Sequence, residues 1–160
     1  MNEIPATKDE LLRRWHKRLR ETQSSHYEAA KPLGSLNYKL GVPVVILTTF
    51  VGTSVFATLS KDVNIYFKIA TGLISVAAAV LSSIQTFLRF NERAELHRST
   101  AAQAGSIRRL VEEIIASGNL DDLSREEISK IRERIDKLSE NAPSIKAKTW
   151  EKTKKILAES

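Results

Sequence analysis

LGVPVVILTTFVGTSVFATLSKDVNIYFKIATGLISVAAAVLSSIQTFL, residues 40–88, decides the fold. No charged residue lies between Lys39 and Lys61, and none between Lys68 and Arg89. Each uncharged span has about 20 residues, so as a helix rising about 1.5 Å per residue it covers about 30 Å, the hydrocarbon thickness of a bilayer. The first span is apolar on every face, as contact with lipid requires and an amphipathic soluble helix avoids. The stretch therefore predicts a transmembrane helical hairpin, with helices at 40–60 and from 69 onward, joined by an extracytoplasmic loop at 61–68. A buried hairpin in a soluble bundle is the competing reading, but two adjacent spans of this length are rare in small soluble domains. A signal peptide fits poorly because Leu40 lies far from the first residue.

Outside the hairpin, the chain of 160 residues is dense in charge. Averaging the two parts gives a mean hydropathy of -0.23, which conceals the membrane segment. The net charge of +6 divides into +3 for residues 1–39, +1 for the loop and +2 for residues 89–160. This spread lacks the concentrated basic field of a nucleic-acid groove and suits attraction to anionic lipid, so no nucleic-acid partner is expected. Cysteine is absent, which excludes disulfides, cysteine catalysis and thiolate metal sites.

N-terminal to the hairpin, residues 1–7 hold Pro5 and no periodic pattern, and predict a flexible start. Residues 8–39 predict a cytoplasmic amphipathic helix, because Leu12, Trp15, Leu19, Thr22, His26, Ala29 and Leu33 recur at spacings of three and four. Pro32 and Gly34 predict a kink or break before membrane entry, and Pro43 fits the first turn of the membrane helix. Tyr38, Tyr66, Phe67, Arg89 and Arg93 are interfacial anchors by position.

The short loop makes the two spans antiparallel. Arg20, Lys31, Lys39, Arg89, Arg93, Arg98 and Arg108 flank one side against Lys61 and Lys68 on the other, which predicts both termini cytoplasmic and a multi-pass inner-membrane location. C-terminal to the hairpin, residues 69–117 read as one continuous helix with a cytoplasmic extension, whose apolar face is Leu96, Ile107, Leu110, Val111 and Ile114. Its natural partner is the N-terminal seam, giving a stalk. Gly118 and Asn119 supply a helix stop. Residues 118–160 then predict further cytoplasmic helices, starting with a capping box at Ser124 and Glu127 and a seam of Ile128, Ile131, Ile135 and Leu138.

Catalytic chemistry finds no foothold. His16, His26 and His97 lack the spacing of a helical metal pair, and no nucleotide-binding or hydrolase motif occurs. His26 lies on the N-terminal seam, where a buried hydrogen bond or a pH-sensitive contact is an alternative to simple exposure. The carboxylate pairs Glu112/Glu113, Asp121/Asp122 and Glu126/Glu127 are sequence neighbours, about 100° apart on a helix, and do not converge. No catalytic, metal or cofactor residue is assigned, and a non-enzymatic role is expected.

The informative polar residues sit inside the spans. Thr71, Ser75, Ala78, Ser82 and Gln85 share one face of the second helix, broadened by Gly72, Ala79, Ser83 and Thr86; Thr49, Gly52, Thr53, Ala57 and Ser60 do the same in the first. Such a stripe either packs helices closely or, in an oligomer, lines a conduit. Two helices alone cannot enclose a column of water, so the second use requires several hairpins.

WHKRLRETQSSHYEAAKPLGSLNYKLGVPVVILTTFVGTSVFATL and, beyond the loop, LSSIQTFLRFNERAELHRSTAAQAGSIRRLVEEI resemble the SLATT family of bacterial two-helix membrane effectors over about residues 10–116. The most specific parts are GVPVVI, VGTSVFATL and LRFNERAELHR. The resemblance implies a role in anti-phage or other conflict systems, beside enzymes making nucleotide second messengers or a cytoplasmic sensor protein. It also implies effectors that open pores or perturb the membrane, so that an infected cell dies, and it carries no catalytic residues; with the conduit argument above, a homo-oligomer in the inner membrane is expected. The rival expectation is a passive hairpin anchor or scaffold recruiting a cytoplasmic partner.

Overall fold

The computed structural model describes residues 4–58, 64–120 and 122–159. Every regular element among them is an α-helix: α1 (Lys8–Thr58), α2 (Ile65–Leu88), α3 (Phe90–Ser117), α4 (Arg125–Asn141) and α5 (Ala147–Ala158). The loop residues Lys61 and Ser60, the side chain of Ala57, and Asp121 lie outside the description. The chain divides into two compact units, one of Met1–Lys31 with Ala94–Ser160 and one of Pro32–Arg93. The first is termed the bundle unit and the second the hairpin unit.

Three boundaries differ from the sequence reading. α1 runs through Pro32 and Pro43 as one helix of 51 residues, so of the expected kink or break a break is absent, and Pro43 lies in a helix interior rather than in a first turn. No capping group or left-handed residue follows Pro32 to stop the helix. In an apolar medium the remaining backbone hydrogen bonds are also costly to abandon. α2 starts earlier than predicted, because the Asn64 side chain accepts a hydrogen bond from the Tyr66 backbone N–H at 2.9 Å and caps the helix. Tyr66, Phe67 and Lys68 thereby join the helix rather than the loop.

The third difference is an interruption where a continuous helix was predicted. Arg89 adopts the left-handed conformation, φ 47° and ψ 42°, and separates α2 from α3. Its N–H still donates to the Gln85 carbonyl at 3.2 Å, and its own carbonyl accepts from Arg93 at 3.1 Å, so the backbone ladder is re-formed on both sides. A left-handed residue with a Cβ costs about 1–2 kcal/mol relative to the helix.

The bundle unit is held by one apolar core. Leu12 and Leu19 of α1, Ala104, Ile107 and Val111 of α3, and Ile131 and Leu138 of α4 are buried together, with Trp15, Leu110, Ile114 and Ile135 packed against them. The predicted seams thus meet, and Ile128 is half-buried at the start of α4. The face of α3 is a correction: Leu96 is 56% exposed, and the buried line runs instead through Ala94, His97, Ala101 and Ala104. Alanines let the neighbouring backbone come close, which a leucine would prevent. A Cβ built on Gly105 would meet the Gln23 side chain of α1 at 2.8 Å.

The helix punctuation follows the sequence. Gly118, at φ 72°, ends α3. At α4 the Ser124 hydroxyl accepts from the Glu127 N–H at 3.1 Å, while the Glu127 carboxylate accepts from the Ser124 N–H at 2.8 Å. These bonds hold the Glu127 carboxyl below the usual carboxylate range. Ser124→Ala removes one of the two reciprocal bonds and is expected to cost about 1 kcal/mol. Thermal unfolding of the purified chain in detergent, followed by circular dichroism, measures this loss.

Candidate membrane surface

Within the hairpin unit the two apolar helices are antiparallel. Gln85 near the end of α2 donates from Nε2 to Asn37 Oδ1 of α1 at 3.4 Å, and the same amide lies 3.1 Å from where a Cβ on Gly41 would stand. The absence of a side chain at Gly41 therefore admits the Gln85 amide between the helices. Ser54 of α1 and Thr71 and Ala78 of α2 are buried, and Ser75, Ser82 and Gln85 are half-buried. Thr71, Ser75, Ala78, Ser82 and Gln85 thus occupy the inner seam of a single hairpin.

The other small and polar residues point away from that seam. Thr49, Gly52, Thr53, Gly72 and Ala79 are exposed, and among the described residues nothing lies within 4 Å of a Cβ built on Gly52 or Gly72. The exposed hydroxyls are satisfied within their own helix. Thr49 donates to the Val45 carbonyl at 2.8 Å, Thr53 to the Phe50 carbonyl at 2.9 Å and Ser83 to the Ala79 carbonyl at 2.8 Å. Each can face lipid without an orphaned donor, which in hydrocarbon costs several kcal/mol. Thr71 differs, since its buried Oγ1 has no hydrogen-bond partner among the described residues.

The remaining hairpin surface is apolar. Val45, Ile46, Leu73 and Val76 are more than half exposed, and the most apolar 18-residue stretch of each long helix is only 6% buried by the rest of the chain. A soluble core helix would be covered. Tyr38 and Tyr66, predicted as interfacial anchors, are exposed to 75% and 78%, and Phe67, Arg89 and Arg93 are also exposed.

In the bundle unit His26 makes the buried hydrogen bond that its place on the seam allowed, with a partner the sequence did not indicate. His26 of α1 and His97 of α3 are both buried, with their Nδ1 atoms 2.9 Å apart, so one ring donates to the other. Burial first, and then the neighbouring His97, push His26 down to about 4. The pair lies 71 residues apart in sequence, and only helix register brings it together. Nearby, His16 Nε2 meets Glu112 Oε1 at 2.8 Å, Arg108 also pairs with Glu112, and Arg108 Nε donates to Gln23 Oε1 at 3.2 Å. The His16 bond, followed by Arg108, lowers the Glu112 carboxyl. Among the described residues no group of three or more His, Cys, Asp or Glu is placed to hold a metal ion.

Two long, uncovered apolar helices in an otherwise charged, all-helical chain define a two-span α-helical membrane protein. Its family is given by comparison: the chain belongs to the SMODS and SLOG-associating 2TM effector domain family 4, whose profile matches residues 7–160. That match takes in α4 and α5, beyond the region of resemblance read from the sequence. No curated protein and no solved structure matches the chain.

Proposed function

We propose that this chain is a non-enzymatic membrane effector of a bacterial conflict system, which assembles through its hairpin and permeabilises the inner membrane, with both termini cytoplasmic. Membership of the effector family supports the role. The observation that carries the mechanism is the exposed small-residue surface of the hairpin, where a Cβ built on Gly52 or Gly72 meets nothing within 4 Å among the described residues. Small residues let membrane helices of separate chains approach closely. Hydroxyls already bonded to their own backbone, as at Thr49 and Thr53, add no desolvation cost to that approach. Membrane opening then follows from several hairpins enclosing water, and a modest tilt or rotation of helices suffices as the gate.

The test exploits the empty space beside the glycines. At Gly52→Leu and Gly72→Leu the added Cβ meets nothing within 4 Å among the described residues, and both positions are exposed. The substitutions also replace a poor helix former by a good one, so the folded chain is retained. Dye release from liposomes is expected to fall roughly tenfold, with the oligomers shifting toward monomers in crosslinking. Unchanged release and unchanged crosslinking would sink the assembly proposed for this face.

A scaffold reading is favoured by a different observation. A groove of about 810 Å³ between α3 and α4 has Leu110, Ile114, Leu123 and Ile131 along its floor and charged residues at its edge, which suits recruitment of a protein. Under that reading, vesicles reconstituted at high protein density stay sealed.

A further inference from the structure

Two depressions of the hairpin unit adjoin each other, because Asn37 and Gln85 line both. The first, about 390 Å³, continues along α1 past Tyr38, Val42, Val45 and Ile46. The second, about 430 Å³, continues past Thr86 to Arg89, Asn91 and Glu92. The uncharged span of α1 starts at Leu40 and that of α2 ends at Leu88, so the first depression runs into the hydrocarbon and the second emerges at headgroup depth. An occupant must therefore be apolar at one end and polar at the other, in that order.

The polar end carries both signs. Arg89 Nη2 and Glu92 Oε2 pair at 2.8 Å, with side chains 66% and 59% exposed. An exposed pair of this kind is cheap to open, and the guanidinium presents several further donors in a planar fork suited to phosphate. A carboxylate a short distance from that fork complements an ammonium group. Arg89 also stands in left-handed backbone, a conformation that L residues avoid and that concentrates at ligand-binding positions.

We propose that the Asn37–Gln85 cleft is a binding site for a zwitterionic phospholipid of the phosphatidylethanolamine class. Its phosphate sits on Arg89, its primary ammonium on Glu92 and one acyl chain along Val42, Val45 and Ile46. The Asn37 and Gln85 amides, packed over Gly41, stand at the level of the glycerol esters. A primary ammonium supplies N–H donors to the carboxylate, whereas a quaternary choline supplies none. Phosphatidylglycerol lacks the cation altogether. The inference rests on the membrane reading of the hairpin and not on permeabilisation.

Native mass spectrometry of the full chain, purified in detergent with equal amounts of phosphatidylethanolamine, phosphatidylcholine and phosphatidylglycerol, tests it. The ethanolamine lipid is expected to be retained in preference to both others. Arg89→Gln and Glu92→Gln, both at exposed positions, are each expected to lower its retention roughly fivefold, the ratio associated with one charge at headgroup depth. Val42→Trp fills the apolar end and should reduce retention of all three lipids. Free phosphoethanolamine at the same concentration should not compete, which separates a lipid site from a simple phosphate site. Equal retention of the three lipids, preference for phosphatidylglycerol, displacement by free phosphoethanolamine, or variants that behave as the parent would each overturn the proposal. Because the readout is bound lipid, vesicles that stay sealed would leave this result standing.

Discussion

Leu12→Ala is expected to destabilise the bundle unit by about 2–5 kcal/mol, the usual cost of emptying a leucine site in a packed core. Leu12 is fully buried and belongs to the cluster that joins α1 to Ile107 and Val111 of α3 and Ile131 of α4, so three helices lose contacts at once. Relaxation cannot readily refill the space, because Leu12 is fully enclosed and its site is closed off by the packed side chains of the same cluster. Leu96→Ala is the control: at 56% exposure it is expected to change stability by under about 0.5 kcal/mol. Urea unfolding of the detergent-solubilised chain, monitored by circular dichroism, compares the two. Equal effects would mean that the α3 face has been assigned wrongly.

Acidification is expected to weaken the same unit by on the order of 3 kcal/mol between pH 6.5 and about 4. The unfolded chain takes up a proton at His26 near the ordinary value of 6.5, whereas the folded chain resists it down to about 4. In that window the unfolded state binds more protons. Stability is therefore fully present above pH 6.5 and is lost as pH falls toward 4. The groups facing the ring are consistent with this sign: His97 meets it from α3, and Arg18 is the charged residue that lines the adjacent cavity with Trp150 of α5 and Ser139 of α4. The lowered carboxyls of Glu112 and Glu127 also lose their contribution in acid, but only below the ordinary carboxylate value. His26→Leu should remove most of the slope between pH 6.5 and 5 while leaving the decline below pH 4.5. A denaturation midpoint measured at half-unit pH intervals for both chains shows whether it does.

Much of the architecture could be read from residue order. The two uncharged spans, the Leu12–Leu19 and Ile131–Leu138 seams, the Gly118 stop and the Ser124 capping box all rest on local pattern, and local pattern survives into the fold. What escaped left no local signal. The face of α3 is lined by alanines, whose small side chains carry little periodic hydropathy, so Leu96 drew the eye instead. The turn at Arg89 uses a residue with no preference for left-handed backbone, and no composition signal marks it. The His26–His97 contact depends on how two distant helices register. In the hairpin, sequence placed the small and polar residues on broad faces. The folded hairpin sorts them into an inner seam through Thr71, Ala78 and Gln85 and an outer surface with Thr49, Gly52 and Gly72.

The alanine line on α3 has a mechanical corollary for the bundle unit. Large interdigitating side chains lock two helices in register, because each must leave its socket before the next can enter. Methyl groups make only shallow ridges, so the line of Ala94, Ala101 and Ala104 contributes little to fixing the register of α3 against α1, which is set by the larger Leu12, Leu19, Ile107 and Val111 further along. Along the alanine stretch itself, directional bonds supply what the methyl groups do not: His26 with His97 and Gln23 with Arg108 pin the two helices at that end.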